Sequence, residues 1–217
     1  MTSYQSLEKS QRALAWSRQS LAETEAALEA AHEEETRATL RATHDSMTSL
    51  PNRGLFDDRL AHAISLAERH GWTLAVMFLD LDQFKSINDT HGHAVGDQVL
   101  REVARRLTER ARDEDTVCRN GGDEFLYLLI DPRGAGNLQR LAECVVERIA
   151  EPLDIAGDMG RNVGGQQLVV RSSIGIAIYP EDGTSGDQLV RHADIAMYEA
   201  KKGGSGCVFF SSVVQWH

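Results

Sequence analysis

The sequence predicts a two-layer α/β domain of the α+β kind, with a central mixed, largely antiparallel sheet flanked by helices and a long N-terminal helix in front. Three observations carry that prediction. Residues 1–50 hold neither Gly nor Pro, whereas all 18 glycines lie from Gly54 onward, so an uninterrupted helix leads into the domain. Beyond Pro51, helical and strand periods alternate in an irregular order, which argues against a doubly wound parallel sheet. Asn120-Gly121 stands between two apolar runs, the strongest short-range sign of an antiparallel hairpin.

The elements follow in order. The Gly- and Pro-free stretch reads as helix throughout, and residues 1–43 form the N-terminal segment. Leu7, Leu14, Leu21 and Leu28 recur every seven residues, with Ser10, Ser17, Thr24 and Ala31 at the companion core position. Such a seam suits either a solvated amphipathic helix or a dimerising coiled coil, and Glu23, Glu25, Glu29 and Glu33 to Glu35 form its wet face. The domain proper runs over 44–212. Its periods give helix 53–70, strand 73–80, short helix 84–90, long helix 94–111, strands 116–119 and 124–130, and helix 135–150. A strand pair across 153–170, strand 172–179, helix 185–202 and strand 207–210 complete it. Residues 213–217 are a tail without readable signal.

With 23 basic and 33 acidic residues, the 217-residue chain has a net charge of −10, which argues against a partner such as a nucleic acid polymer or an anionic membrane. At 41% hydrophobic it can build a core. The 3 cysteines, Cys118, Cys144 and Cys207, are far apart and odd in number, which fits a reduced, cytoplasmic setting. Residues 1–20 are polar, without the apolar core of a signal peptide, and the longest apolar run, Leu74 to Leu79, is far short of the ~20 residues a membrane span needs, so no membrane insertion is expected.

The predicted strand 73–80 is apolar almost throughout, as a strand buried on both faces must be, and it ends in Asp80-Leu81-Asp82. Carboxylates at the end of a core strand are paired, hydrated or metal-bound, and helix capping or salt bridging explains this pair as readily as a metal does. The loop Arg119-Asn120-Gly121-Gly122-Asp123-Glu124-Phe125 adds two more acids after paired glycines that let a ligand approach closely. If this hairpin lies beside the Asp80 strand, Asp80 and Asp123 meet over one site. Few, hard oxygen ligands of that kind suit Mg²⁺ carrying nucleotide phosphates.

These residues resemble the GGDEF-type diguanylate cyclases, a family that condenses two GTP into cyclic di-GMP. Gly121-Gly122-Asp123-Glu124-Phe125 is the signature unaltered, and the similarity runs from His44 to about Phe210. Asp45-Ser46-Met47-Thr48-Ser49-Leu50-Pro51-Asn52-Arg53 is similar to the family's D-x-L-T-x-L-x-N-R opening, with Met47 for Leu. Phe78 to Lys85, Asn88 to His93 and Gly96-Asp97 match the second block, and Ser173 to Ala177 and Ala193 to Lys201 match the later ones.

The resemblance implies a fold like the nucleotide-cyclase and polymerase palm, and activity as a homodimer in which each subunit brings one GTP. It implies that Asp80, the Leu81 carbonyl, Asp123 and Glu124 hold Mg²⁺, or Mn²⁺ in its place, with Asp123 and Glu124 catalytic and Asp123 the suggested proton acceptor. Asn88 and Asp97 match guanine-reading positions and His93 a further substrate contact. In the residue pattern alone Asn88 is equally a helix cap, His93 a packed imidazole and Asp97 an early-helix acid. Lys85 and Lys201 are the phosphate cations. Ser205 stands where the family usually has Arg, removing a guanidinium from the phosphate end, and Lys202 is either the nearby cation that would compensate or a cation that satisfies the dipole of an exposed helix end. Arg112 and Asp115 have the spacing of the family's R-x-x-D site for inhibition by cyclic di-GMP. Two further readings stand beside the enzyme: a non-catalytic module that binds GTP or cyclic di-GMP, and a piece of a longer protein with a phosphodiesterase domain.

Overall fold

The computed structural model describes residues 2–132, 134–155, 167–204 and 206–214. The chain divides into two units after Thr43. The first is one helix, α1 (Thr2–Thr43), about 63 Å long at 1.5 Å per residue. Its heptad residues Leu14, Leu21 and Leu28 are exposed, as is Trp16. Part of the acidic run is engaged, since Arg37 pairs with Glu33 and Glu34 and Arg41 with Glu34. The helical expectation through residue 50 fails after Thr43 for a local reason. The Asp45 carboxylate accepts from the Thr48 amide at 2.9 Å and its hydroxyl at 2.7 Å, and Ser49 takes φ 60°, so the chain turns instead.

In the second unit α2 (Arg53–His70) starts on an Asn52 cap that accepts from the Leu55 amide, and it stops at Gly71, whose φ of 69° suits glycine. There follow β1 (Leu74–Leu81), α3 (Phe84–His91), α4 (His93–Thr108), β2 (Thr116–Gly121), β3 (Glu124–Ile130), α5 (Ala135–Ile149), β4 (Leu153–Asp154) and β5 (Gln167–Leu168). The last elements are β6 (Ser172–Tyr179), α6 (Gly186–Lys202), β7 (Gly206–Phe209) and α7 (Phe210–Val214). The strand pair expected across 153–170 is present as β4 and β5, and the residues between 156 and 166 lie outside those described.

The main sheet has the order β2-β3-β1-β6-β7, antiparallel except for the β6–β7 pair. It is covered on both faces, one layer more than the two-layer expectation. The reason is β1, every residue of which is buried. Ala75, Met77, Leu79 and Leu81 pack with α4 and α5 residues such as Val99, Val103 and Leu138, whereas Leu74, Val76 and Phe78 pack with Phe56 and Leu60 of α2 and Leu189 of α6. The α5 end is tied down by Arg106, 4% exposed, which donates to the carbonyls of Arg148, Ile149, Glu151 and Pro152 and to Glu102. α4 ends three residues before the expected Ala111, where Arg110 and Ala111 bond three residues back instead of four. α7 was not expected; the Phe210 ring stacks on His192 of α6 at 4.0 Å, and the chain folds back there.

Candidate active site

The site begins where β1 ends. Asp80 lies between Glu124 of β3 and Ser173 of β6 in the antiparallel register. Alternation places Glu124 and Asp80 on one face of the sheet. β1 stops at Leu81, so Asp82 sits in the following turn. There the Ser173 hydroxyl donates to it at 2.8 Å, and the residue at the start of α3 is Gln83, not Asp82.

The hairpin joining β2 to β3 differs from the expected Asn-Gly turn. Its connection is Gly122-Asp123, and the register slips between Arg119 and Gly121, so Asn120 bulges out. Gly121 and Gly122 have φ of 132° and 51°, values that favour glycine. The bulge frees the Asn120 side chain to accept from Arg53 at 2.9 Å and donate to Glu124 at 2.7 Å. Arg119 donates to the Gly122 carbonyl at 2.7 and 3.1 Å and to Asp45 at 3.0 and 3.1 Å. Its own amide donates to the Pro51 carbonyl, and the Leu81 amide donates to Asp123 O at 3.3 Å. The opening segment 45–53 therefore braces the hairpin that carries Asp123 and Glu124. Neither Arg119 nor Asp45 was singled out from the sequence, because each makes sense only through the other, 74 residues away.

Lys201 closes the site from α6, with its ammonium 2.6 Å from an Asp80 oxygen. That hydrogen bond, with the fields of Asp80, Asp123 and Asp82, raises the Lys201 pKa. Burial pushes the Asp123 carboxyl up, and the charge of Asp80 adds to the effect. Asp194 is likewise raised by burial and then by Asp80. It was not named as a site residue, although its place seven residues before Lys201 puts both on one side of α6. The arrangement is a group of carboxylates in one field, balanced locally by one lysine.

The other expected residues separate into groups. The Asn88 side chain rests on Gly96, where an added Cβ would stand 1.9 Å from its Oδ1, so it is aimed at the helix turn that carries Asp97. Its backbone carbonyl ends α3 by accepting from Gly92 at 2.8 Å. His93 is exposed, which removes the packed-imidazole alternative, and Lys85 is also exposed. Gln83 starts α3 at φ 57° without a side-chain cap, and its carbonyl accepts from the Ser86 amide at 2.9 Å. A cavity of about 770 Å³ lies between this turn, the segment before β6 and the end of α6, and Asp82, Gln83, Ser86, Arg171 and Lys201 are among its lining residues.

Ser205 lies outside the described residues. Lys202 is engaged elsewhere, donating to Glu199 at 2.8 Å and lying over the Tyr198 ring. At the R-x-x-D segment, Arg112 is exposed with only a loose 3.9 Å approach to Glu114. Asp115 is 7% exposed, and its two oxygens accept from the amides of Arg112 and Ile130. Burial raises its pKa. Its oxygens thus organise the turn that presents Arg112.

Among the described residues no three His, Cys, Asp or Glu side chains converge as a metal cluster. A phosphate-bound Mg²⁺ needs only one or two carboxylates with waters and phosphate oxygens, and the Asp80–Asp123 pair, in mutual electrostatic contact beside the Leu81 backbone, fits that lower demand. No described helix is long and apolar enough to cross a membrane.

A family model described as "Diguanylate cyclase, GGDEF domain" matches residues 42–207. The chain is 46% identical over 168 residues to the bifunctional diguanylate cyclase/cyclic di-GMP phosphodiesterase MucR of Pseudomonas aeruginosa, covering 77% of this chain and 23% of that protein. It is 40% identical over 161 residues to diguanylate cyclase TpbB of the same species, covering 74% and 35%. The chain thus spans about a third or less of these curated relatives. Among solved structures, the GGDEF domain of TpbB superposes with a TM-score of 0.68 at 39% identity, covering 75% of this chain and 97% of that one. The coiled coil and GGDEF domain of DgcB from Caulobacter crescentus, in complex with c-di-GMP, gives 0.75 at 31%, covering 87% and 96%.

Proposed function

The chain belongs to the GGDEF domain family of diguanylate cyclases, and on that premise we propose that it condenses two GTP into cyclic di-GMP and two pyrophosphates as a Mg²⁺-dependent homodimer. The observation that carries the reading is the meeting of Asp80, Asp123 and Lys201 at the end of β1, with a cavity of nucleotide size beside them.

In each half-reaction the 3′-oxygen of one GTP forms a bond to the α-phosphorus of the other, the bond from that phosphorus to the β-phosphate bridging oxygen breaks, and pyrophosphate leaves. Asp80 and Asp123 would hold Mg²⁺, with Glu124 and the Leu81 carbonyl beside them, and the ion would acidify the hydroxyl and neutralise phosphate charge. Lys201 supplies a positive charge to the phosphates from the α6 side. Asp123, whose carboxyl is raised by burial and by Asp80, is the candidate to take the 3′-hydroxyl proton, but a bound cation would draw its pKa down again, so we assign its metal role first. Asn88, held in place over Gly96, and Asp97 read the guanine edge: a carboxylate accepts from both N1–H and the 2-amino group, which adenine does not offer. His93 and Lys85, exposed on α4 and α3, are further substrate contacts.

Joining two nucleotides symmetrically requires two domains facing each other. The exposed Leu14, Leu21 and Leu28 of α1 support pairing of two helices, which would raise the effective concentration of one domain about the other. Arg112 would take a guanine or phosphate of cyclic di-GMP in product inhibition, with Asp115 holding its turn.

The test is incubation with GTP and Mg²⁺, assayed for pyrophosphate and cyclic di-GMP. No turnover by the wild type at high protein concentration sinks the enzyme reading. Asp123→Ala should abolish turnover and leave Arg112-dependent binding of cyclic di-GMP in place. A second reading draws on relatives such as the cyclic di-GMP phosphodiesterase PdeR of Escherichia coli, 38% identical over 166 residues. In it the domain binds GTP or cyclic di-GMP and signals to a larger protein; binding without turnover is its result.

A further inference from the structure

We propose that Arg171 is a further substrate-binding residue, whose guanidinium takes the terminal phosphates of the bound nucleoside triphosphate. The inference rests on reading Lys201 as a phosphate lysine. Arg171 and Lys201 line the same cavity of about 770 Å³. The backbone of Arg171 is fixed against the site: its carbonyl accepts from the Asp82 amide at 2.9 Å, and the next residue, Ser172, is buried in register with Leu81. The side chain therefore leaves from a rigid edge of the sheet, level with the turn that follows β1.

That side chain is exposed and makes no hydrogen bond or ion pair among the described residues. Arg53, Arg105, Arg106, Arg119 and Arg148 sit on carboxylates, whereas Arg171 is held by none among the described residues and is set apart from the other exposed arginines by its place in the cavity wall beside Lys201. A guanidinium is costly to leave without partners only where it is buried; here it stays hydrated, with its fork of donors available to paired phosphate oxygens.

The charge of the cavity also calls for it. Lys201 is already bonded to Asp80 at 2.6 Å, and Asp82 adds a negative charge to the wall. A triphosphate entering here needs a second fixed cation, and Arg171 is the only other Arg or Lys among the described lining residues. Arg171 shares this wall with Lys201, the phosphate lysine of the proposed function, and is therefore assigned to the phosphates and not to the base.

The experiment is calorimetric titration of the full chain in excess Mg²⁺ with GTP, supplied as 3′-deoxy-GTP so that no 3′-hydroxyl can react, and with GDP and GMP, for the wild type, Arg171→Ala and Arg171→Lys. Arg171→Ala is expected to weaken GTP about tenfold, equivalent to ~1.4 kcal/mol, and GMP less than about twofold. Arg171→Lys restores part of the loss by returning the charge without the fork. In turnover, KM for GTP rises with kcat nearly unchanged. Unchanged GTP affinity in Arg171→Ala, or equal loss for GTP and GMP, overturns the assignment. A wild type that binds GTP but forms no cyclic di-GMP refutes the cyclase reading alone, and the comparison of GTP with GMP still decides Arg171. A wild type that binds no GTP overturns both.

Discussion

Removing the Arg119 side chain should loosen the signature hairpin and so reach Asp123 without touching it. The guanidinium is 11% exposed and its partner Asp45 23%, so the pair is neither a solvated surface bridge nor a fully dry one. At ~3 Å and an effective dielectric of ~20 the gross attraction is about 5 kcal/mol, most of it offset by desolvation, which leaves a net coupling of about 1–2 kcal/mol. The two donors on the Gly122 carbonyl add a charge-assisted contact of about 1.5–3 kcal/mol. Arg119→Ala is therefore expected to cost about 3 kcal/mol in urea unfolding, and a double-mutant cycle with Asp45→Asn should return the coupling. Its pH dependence has a definite sign. Burial, the largest influence on Asp45, raises its pKa, but the bonds from Thr48 and Arg119 together outweigh it and leave the carboxyl lowered. A lowered carboxyl contributes stability above its ordinary pKa of 3.8, and the contribution disappears as pH falls through the folded value, so the coupling fades in acid. Turnover should fall by up to about 100-fold if the turn moves by ~1 Å. A coupling below ~0.3 kcal/mol together with unchanged turnover refutes the brace.

Other outcomes follow from packing and charge. Gly96→Ala places a Cβ 1.9 Å from Asn88 Oδ1, so the amide must swing away; guanine nucleotide affinity should drop about tenfold by calorimetry while stability changes by less than about 1 kcal/mol. Gly175→Ala meets the backbone of α6, at 1.9 Å from Ala193 O and 2.0 Å from Met197 N, so the helix has to retreat, and thermal unfolding should show a loss of about 3 kcal/mol. Arg106→Met strips donors from the end of α5 and should cost about 3–5 kcal/mol in denaturant unfolding. The bond from Arg105, then those from Arg106, lower Glu102 to about 2. That contribution is present above the ordinary 4.5, so the wild type loses it as pH falls through about 2, and Arg106→Met should flatten this part of an acid titration.

Much of the sheet could be read in advance because its patterns are local. The ranges of α2, β3 and β6 coincide with the sequence expectation, since each is bounded by a cap, a glycine or a change of period. The meeting of Asp80 with Asp123 was also readable, as an apolar strand ending in acids and a hairpin carrying two more. What escaped was tertiary. Asn120-Gly121 looks like the turn, but Asn120 is drawn out of the ladder by Arg53 and Glu124, and the connection shifts to the next pair of residues. Asp45, Arg119 and Asp194 stand in recognisable blocks of sequence, but their part at the site comes from partners on other elements, and Arg171 is marked only by the cavity wall it shares with Lys201. Asp115 carries a structural part that its spacing from Arg112 does not announce, since its oxygens accept from the Arg112 and Ile130 amides.

The net charge of −10 gains its significance from where a few of those acids lie. Asp80, Asp82 and Asp123 all act on Lys201, and Asp80 acts in turn on Asp123 and Asp194. A highly charged phosphate chain entering that field alone would be opposed by more carboxylates than the site has cations to offset. The same field favours a divalent cation, and once one is held the sign of the local potential reverses toward phosphate. Lys201 would then be freed for a different task, because Asp80, if it held a cation, would give up part of its bond to the ammonium. On the proposed function, the acid cluster and the lysine would serve one order of assembly, in which cation and nucleotide arrive together and the lysine passes from Asp80 to the phosphates.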